Sequence, residues 1–127
     1  EYTKALRGPL GLVGPYAEAI MGTPCKYFIE AVTKMKAVKF SFKIFNKLME
    51  ENKQWERLGR VVAEVNYLEK EKREYTLIHM SIAEKYQEFL QNFALFKDQI
   101  PQFQIASYLG VSPEALNRHL KKLKTRH

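Results

Sequence analysis

The chain has 127 residues, a length that allows one domain or two very small ones and excludes a large multidomain enzyme. Hydrophobic residues make up 46% of the chain and charged residues 28%, so a core can form and general disorder is excluded. The 21 Lys and Arg residues outnumber the 14 Asp and Glu residues, giving a net charge of +7. This charge favours polyanionic partners, nucleic acid before anionic membrane.

Cysteine content and hydropathy indicate the cellular compartment in which we expect the protein. The single cysteine, Cys25, cannot form an internal disulfide, so nothing indicates an oxidising compartment. No apolar run approaches the ~18 residues of a membrane span, and no signal peptide opens the sequence. We therefore expect a soluble, cytoplasmic protein without a membrane partner. The sequence begins with Glu1 rather than Met, which is compatible with part of a longer chain.

The N-terminal third predicts loop, then strands, then a helix. The first 24 residues are rich in glycine and proline, which predicts loop with short strands at most. Residues 27–33 and 36–41 are rich in β-branched and aromatic side chains, so we predict a β-hairpin that turns near Lys34. Ser41 is a suitable N-cap, and the apolar spacing after it predicts a helix to about Glu51.

A long helix is predicted from Gln54 to about Glu74, because no proline and only one glycine occur there. Its apolar residues form a seam, which indicates either packing within the chain or a two-stranded coiled coil. The seam consists of Trp55, Leu58, Val61, Val62, Val65 and Leu68. Ser81 starts another predicted helix, in which Glu84 completes a capping box. That helix ends before Pro101.

Residues 100–123 have the pattern of a helix-turn-helix motif, with helices over 102–109 and from Pro113 to residue 122 or beyond. Gly110 can supply the positive φ at the end of the first helix. Ser112 can cap the second helix, where a proline at the first position costs no hydrogen bond.

The outward face of the second helix carries residue types that read bases in a major groove. Arg donates two hydrogen bonds to guanine, Glu accepts one from cytosine, and Asn pairs with adenine. Basic residues at the end of the same helix suit phosphates. The base-reading candidates are Glu114, Asn117 and Arg118, and the phosphate candidates are Lys121, Lys122, Lys124 and Arg126. A small helical pair with a solvated basic face is the alternative interpretation.

These motifs also resemble a known family. SIAEKY at residues 81–86 and IASYLGVSPEALNR at residues 105–118 closely resemble the DNA-binding domain of Crp/Fnr transcription regulators. GTPCKYFIEA at residues 22–31 and FSFKIF at residues 40–45 look like the last strands and following helix of that family's cyclic-nucleotide-binding β-roll. The resemblance spans roughly residues 11–123.

The resemblance implies an α+β fold in three parts. Residues 1–52 would be the C-terminal part of a jelly-roll, cyclic-nucleotide-binding-like sensor. Residues 53–75 would be a dimerisation helix, which favours the coiled-coil interpretation of the seam. Residues 76–127 would be a winged-helix-like helix-turn-helix domain. It further implies a bacterial homodimer that regulates transcription by reading a palindromic operator in double-stranded DNA, with RNA polymerase as a further partner.

The resemblance also assigns roles to single residues. It adds Pro113 to the base-reading set and implies that Gln102, Gln104 and Ser112 lie near phosphates. In two respects the sequence departs from the family pattern: His119 stands where an aliphatic core residue is usual, and no wing hairpin is recognisable after residue 123.

The effector pocket departs further from the family pattern. In cyclic-nucleotide-responsive members, a Gly-Glu turn and an Arg followed by Ser or Thr hold the cyclic phosphate. Here Gly14 stands at the turn without a following Glu, and Cys25 and Lys26 replace the Arg and the Ser or Thr. Because Cys25 replaces the phosphate-binding Arg and Lys26 lacks a bidentate fork, we do not expect cyclic AMP binding in the family's manner. No other cofactor is evident in the sequence.

No catalytic or metal-binding arrangement is recognisable in the sequence. Asp98 is the only aspartate, and the three histidines, His79, His119 and His127, are scattered. We therefore expect neither an enzyme nor a metal site. The remaining alternative to a regulator is a cyclic-nucleotide-like ligand-binding or scaffold module whose basic tail binds nucleic acid non-specifically.

Overall fold

A computed structural model describes residues 2–125, and all regular structure among them is helical. The elements are α1 Tyr16–Met21, α2 Phe42–Glu51, α3 Lys53–His79, α4 Ile82–Phe93, a 3-10 turn Lys97–Gln99, α5 Gln102–Leu109 and α6 Pro113–Thr125. They belong to two compact units: Gly14–Arg73 is one, and the described residues up to Val13 and from Glu74 onward are the other. Within this part of the chain, no helix combines the length and apolar character needed to cross a membrane.

The predicted β-hairpin is wrong, and with it the α+β fold and the partial β-roll sensor. Residues 23–41 contain bends but no strand, and no sheet occurs anywhere in residues 2–125. A two-stranded hairpin is marginal in water unless a third strand or a helix covers one of its faces. Most of these side chains lie uncovered here; Phe28 is 73% and Val38 is 90% exposed.

In the first unit, the sequence pattern did not predict α1 but did predict α2. α1 is capped at its C-terminal end by Gly22, whose φ of 66° lies in the left-handed region. The predicted cap of α2 is confirmed, because Ser41 Oγ accepts a hydrogen bond of 3.2 Å from the backbone N–H of Lys43. Asn52 then ends α2 and starts α3, and its side chain accepts a 2.8 Å hydrogen bond from the N–H of Gln54.

The other unit packs α4, α5 and α6 around one apolar core, with all three helices in mutual contact. Its buried residues are Phe89, Ile100, Ile105, Ala106, Leu109 and Leu116. Full burial of a Leu or Phe side chain contributes about 1.5–3 kcal/mol, so this core fixes α6 firmly against α4 and α5.

Polar contacts join the end of α3 to α4 in this same unit. The capping box predicted at Ser81 and Glu84 is present at the start of α4. Lys85 is buried, and its Nζ donates a 3.0 Å hydrogen bond to the carbonyl of Leu77 in the last turn of α3. A cation at a helix C-terminus satisfies a free carbonyl and opposes the negative end of the helix dipole.

Candidate nucleic-acid interface

The turn between α5 and α6 has the geometry that its sequence predicts. Gly110 adopts φ 65°, and its N–H together with that of Val111 donates to carbonyls in the last turn of α5. Ser112 Oγ accepts a 3.1 Å hydrogen bond from the N–H of Ala115, which caps α6. Pro113 is the first residue of α6. The predicted bounds of α5 and the predicted start of α6 are therefore confirmed.

Small and apolar side chains hold the two helices together. Ala106 on α5 and Leu116 on α6 are both fully buried. The side chain of Leu77 lies close to Gly110. A Cβ atom added at Gly110 would lie 2.8 Å from Leu77 Cδ2. A side chain at residue 110 would therefore require the Leu77 side chain to move.

The base-reading candidates share one exposed face of α6. Glu114, Asn117 and Arg118 are exposed, and their i, i+3, i+4 spacing places them side by side. Lys121 continues this row at i+7. A 13-residue helix is about 20 Å long, and a major groove about 12 Å wide admits a helix of this kind.

The phosphate candidates lie at both ends of α6. Lys121, Lys122 and Lys124 are exposed in its C-terminal half. At the other end Gln102 and Ser112 are exposed and Gln104 is half-buried, near the N-terminal ends of α5 and α6. Helix N-termini attract anions, so neutral side chains there can contribute to phosphate binding. The remaining phosphate candidate, Arg126, and the last residue, 127, lie outside the described part of the chain.

His119 is half-buried on the opposite side of α6, against α4. Its ring lies 5.7 Å from the Tyr86 ring at an interplanar angle of 72°. This edge-to-face contact is a favoured aromatic geometry. The contact gives His119 an aromatic packing partner on α4.

The seam residues of α3 are largely exposed. Trp55 is 38% and Leu68 is 64% exposed, and Leu58, Val61 and Val65 lie between these values, while Val62 is half-buried. On the same helix an exposed ion pair joins Arg60 to Glu64 at 2.7 Å. Much of the apolar seam is therefore accessible to a partner.

The three effector-pocket candidates lie in irregular chain beside α1 rather than on strands. Gly14, Cys25 and Lys26 are all exposed. Tyr27 connects the first two: its hydroxyl donates to the Gly14 carbonyl at 3.2 Å, and Cys25 Sγ donates to the Tyr27 carbonyl at 2.9 Å. Burial, and then the nearby Glu18 and Cys25, raise the pKa of Tyr27. Lys26 is not brought into this pair of hydrogen bonds.

Two sets of residues were missed from the sequence. Tyr75 and Ile78 are exposed apolar residues on α3, seven and ten positions after Leu68. The 3,4 spacing of the seam continues to Glu69 and Lys72 instead, so it does not indicate them. Lys4 and Arg7 lie on a segment that contacts α5, and no local pattern indicates that contact. No group of three His, Cys, Asp or Glu residues suited to a metal ion occurs among residues 2–125.

Comparisons with models of known protein families, with curated proteins and with solved structures found no match to this chain.

Proposed function

We propose that this protein is a sequence-specific double-stranded DNA-binding regulator of the Crp/Fnr type, in which α6 enters the major groove. The observation that carries the proposal is the pairing of a glycine-turned α5–α6 unit with an exposed row of Glu114, Asn117 and Arg118 on α6. The β-roll sensor is not part of it.

The chemistry of the exposed row supports base reading. Arg118 can donate two parallel hydrogen bonds from its planar guanidinium group to guanine O6 and N7. Glu114 can accept from cytosine, and Asn117 can make a bidentate pair with adenine. Leu116 of the same helix is fully buried in the core. The exposed side chains therefore project from a helix that is held firmly in place.

Homodimerisation through the α3 seam belongs to the same proposal. A two-fold dimer would present two copies of α6 to half-sites about one helical turn apart, which requires a palindromic operator. The exposed apolar seam supports such pairing, since burying it removes apolar surface from water. RNA polymerase would be a further partner of a regulator of this class.

Paired variants on α6 test the proposal. Arg118→Ala should cost about 1–3 kcal/mol at the cognate duplex and relax preference at one base pair, because a bidentate contact to guanine is lost. Lys122→Ala should weaken binding to all duplexes alike and lower the slope of log affinity against log salt by about one unit. Titration of both variants with cognate and scrambled duplexes across a salt series measures both effects.

Arg118→Lys is the matched control for this experiment. It keeps the charge but removes the planar fork, so it should retain the salt slope and still lose base preference. Equal losses on cognate and scrambled duplexes for Arg118→Ala would contradict its base-reading role. A parent protein with no preference for any duplex would contradict the regulator and indicate non-specific nucleic-acid binding instead.

A further inference from the structure

The N-terminal segment, residues 2–13, contacts the helix-turn-helix unit through Thr3 and Leu6. The backbone N–H of Thr3 donates a 2.7 Å hydrogen bond to Ser107 Oγ on α5. Three residues later, Leu6 packs against the buried core of the same unit. A polar contact and an apolar contact so close together fix both the position and the direction of this docked segment.

The docked segment lies beside the N-terminal end of α6. Thr3 lines a cavity of about 210 Å³ whose other walls are Phe103, Ser107, Val111 and Pro113. Pro113 is the first residue of α6, so the segment lies at the opposite end of this helix from the lysines of its last turns.

The charges of this region are unevenly distributed. α5 and the turn that follows it, residues 102–112, contain no charged residue. On α6 the lysines lie in the C-terminal half, from Lys121 onward. The docked segment carries cations at the N-terminal side of α6: Lys4 and Arg7 are both exposed.

We propose that the docked segment is a second DNA-contacting element, in which Lys4 and Arg7 bind backbone phosphates on the α5 side of the groove that α6 enters. This inference rests on the proposed function. A major groove has a phosphate backbone on each wall, and contacts to both walls fix the orientation of the helix between them. The α6 lysines serve one wall, and the docked segment carries the cations for the other.

The test removes both cations from the full chain. Lys4→Ala/Arg7→Ala should lower the salt slope of duplex binding by about two units, because about 0.9 counterions are released per neutralised phosphate. Affinity should fall by the same factor on cognate and scrambled duplexes. The matched control Lys34→Ala/Lys36→Ala removes two exposed cations from the other unit and should leave the slope unchanged.

A second variant tests whether the contact of the docked segment with α5 contributes to DNA binding. Thr3→Pro removes the N–H that donates to Ser107 but keeps both cations, and it should lower the salt slope in the same direction by a smaller amount. An unchanged slope in Lys4→Ala/Arg7→Ala, or an equal fall in the control, would overturn the inference while the parent protein's duplex preference still supports the proposed function. Tighter binding by the double variant would also overturn it and would make the segment an obstacle to DNA. A parent protein that binds no duplex would contradict both the proposed function and this inference.

Discussion

Gly110 controls the geometry on which the helix-turn-helix depends. Gly110→Ala should destabilise the protein by about 1–2 kcal/mol for the left-handed backbone alone, and by more because the new Cβ would lie 2.8 Å from Leu77 Cδ2. Chemical denaturation followed by circular dichroism measures this loss. Gly8→Ala is the control, since a Cβ there meets nothing within 4 Å. Equal stability of the two variants would contradict the role assigned to Gly110.

Glu84 makes the start of α4 sensitive to acid. Hydrogen bonds from the side chain and the backbone N–H of Ser81 lower the pKa of Glu84 from its ordinary value of 4.5. The unfolded chain therefore binds this proton more readily than the folded protein does. The stabilisation is complete above the ordinary pKa and is lost as pH falls through the lowered folded value.

Glu84→Gln tests this pH dependence, because glutamine keeps a capping box but does not titrate. Unfolding free energies of both proteins are measured from about pH 6 to about pH 3, a range that spans the titration of Glu. The advantage of the parent protein over the variant should shrink as pH falls. A constant difference across this range would show that the Glu84 carboxylate does not stabilise the cap.

At the scale of elements, the sequence predicted the helices with recognisable caps or long apolar spacing, missed the short α1, and failed over residues 27–41, where the determinants are not local. Ser41, Ser81 and Gly110 act on backbone groups within a few residues, so caps and turns could be recognised from spacing. Strand formation over residues 27–41 requires a partner strand or a covering helix, and β-branched composition says nothing about either. The last turn of α3 passes the predicted end because Lys85, from the next helix, satisfies the Leu77 carbonyl.

The candidate interface could likewise be predicted from the sequence only in part. The row of Glu114, Asn117 and Arg118 follows from helical spacing alone and was visible in the sequence. The docked segment was not, because the hydrogen bond between Thr3 and Ser107 joins residues 104 positions apart. Contacts of that sequence separation leave no periodic trace in either segment.

At the scale of the whole molecule, the proposed reading of two half-sites needs two copies of α6, and the exposed seam of α3 is a candidate surface for the dimer. This helix has 27 residues and is therefore about 40 Å long. Its seam is apolar and largely exposed, and Tyr75 and Ile78 extend the exposed apolar residues along the same helix. A monomer would leave this seam in water, whereas pairing through α3 would bury it.

Val62→Asp/Val65→Asp should convert the protein to a monomer, since pairing would then bury carboxylates at a cost of several kcal/mol. Lys53→Gln/Lys70→Gln lowers the net charge by the same amount away from the seam and should remain dimeric. Sedimentation velocity at micromolar concentration measures the state of all three proteins, and circular dichroism checks that α3 stays helical. The monomeric variant should bind a single half-site weakly and lose its preference for a palindrome over that half-site. A monomeric parent protein, or a dimeric Val62→Asp/Val65→Asp variant, would show that the seam is not the dimer interface.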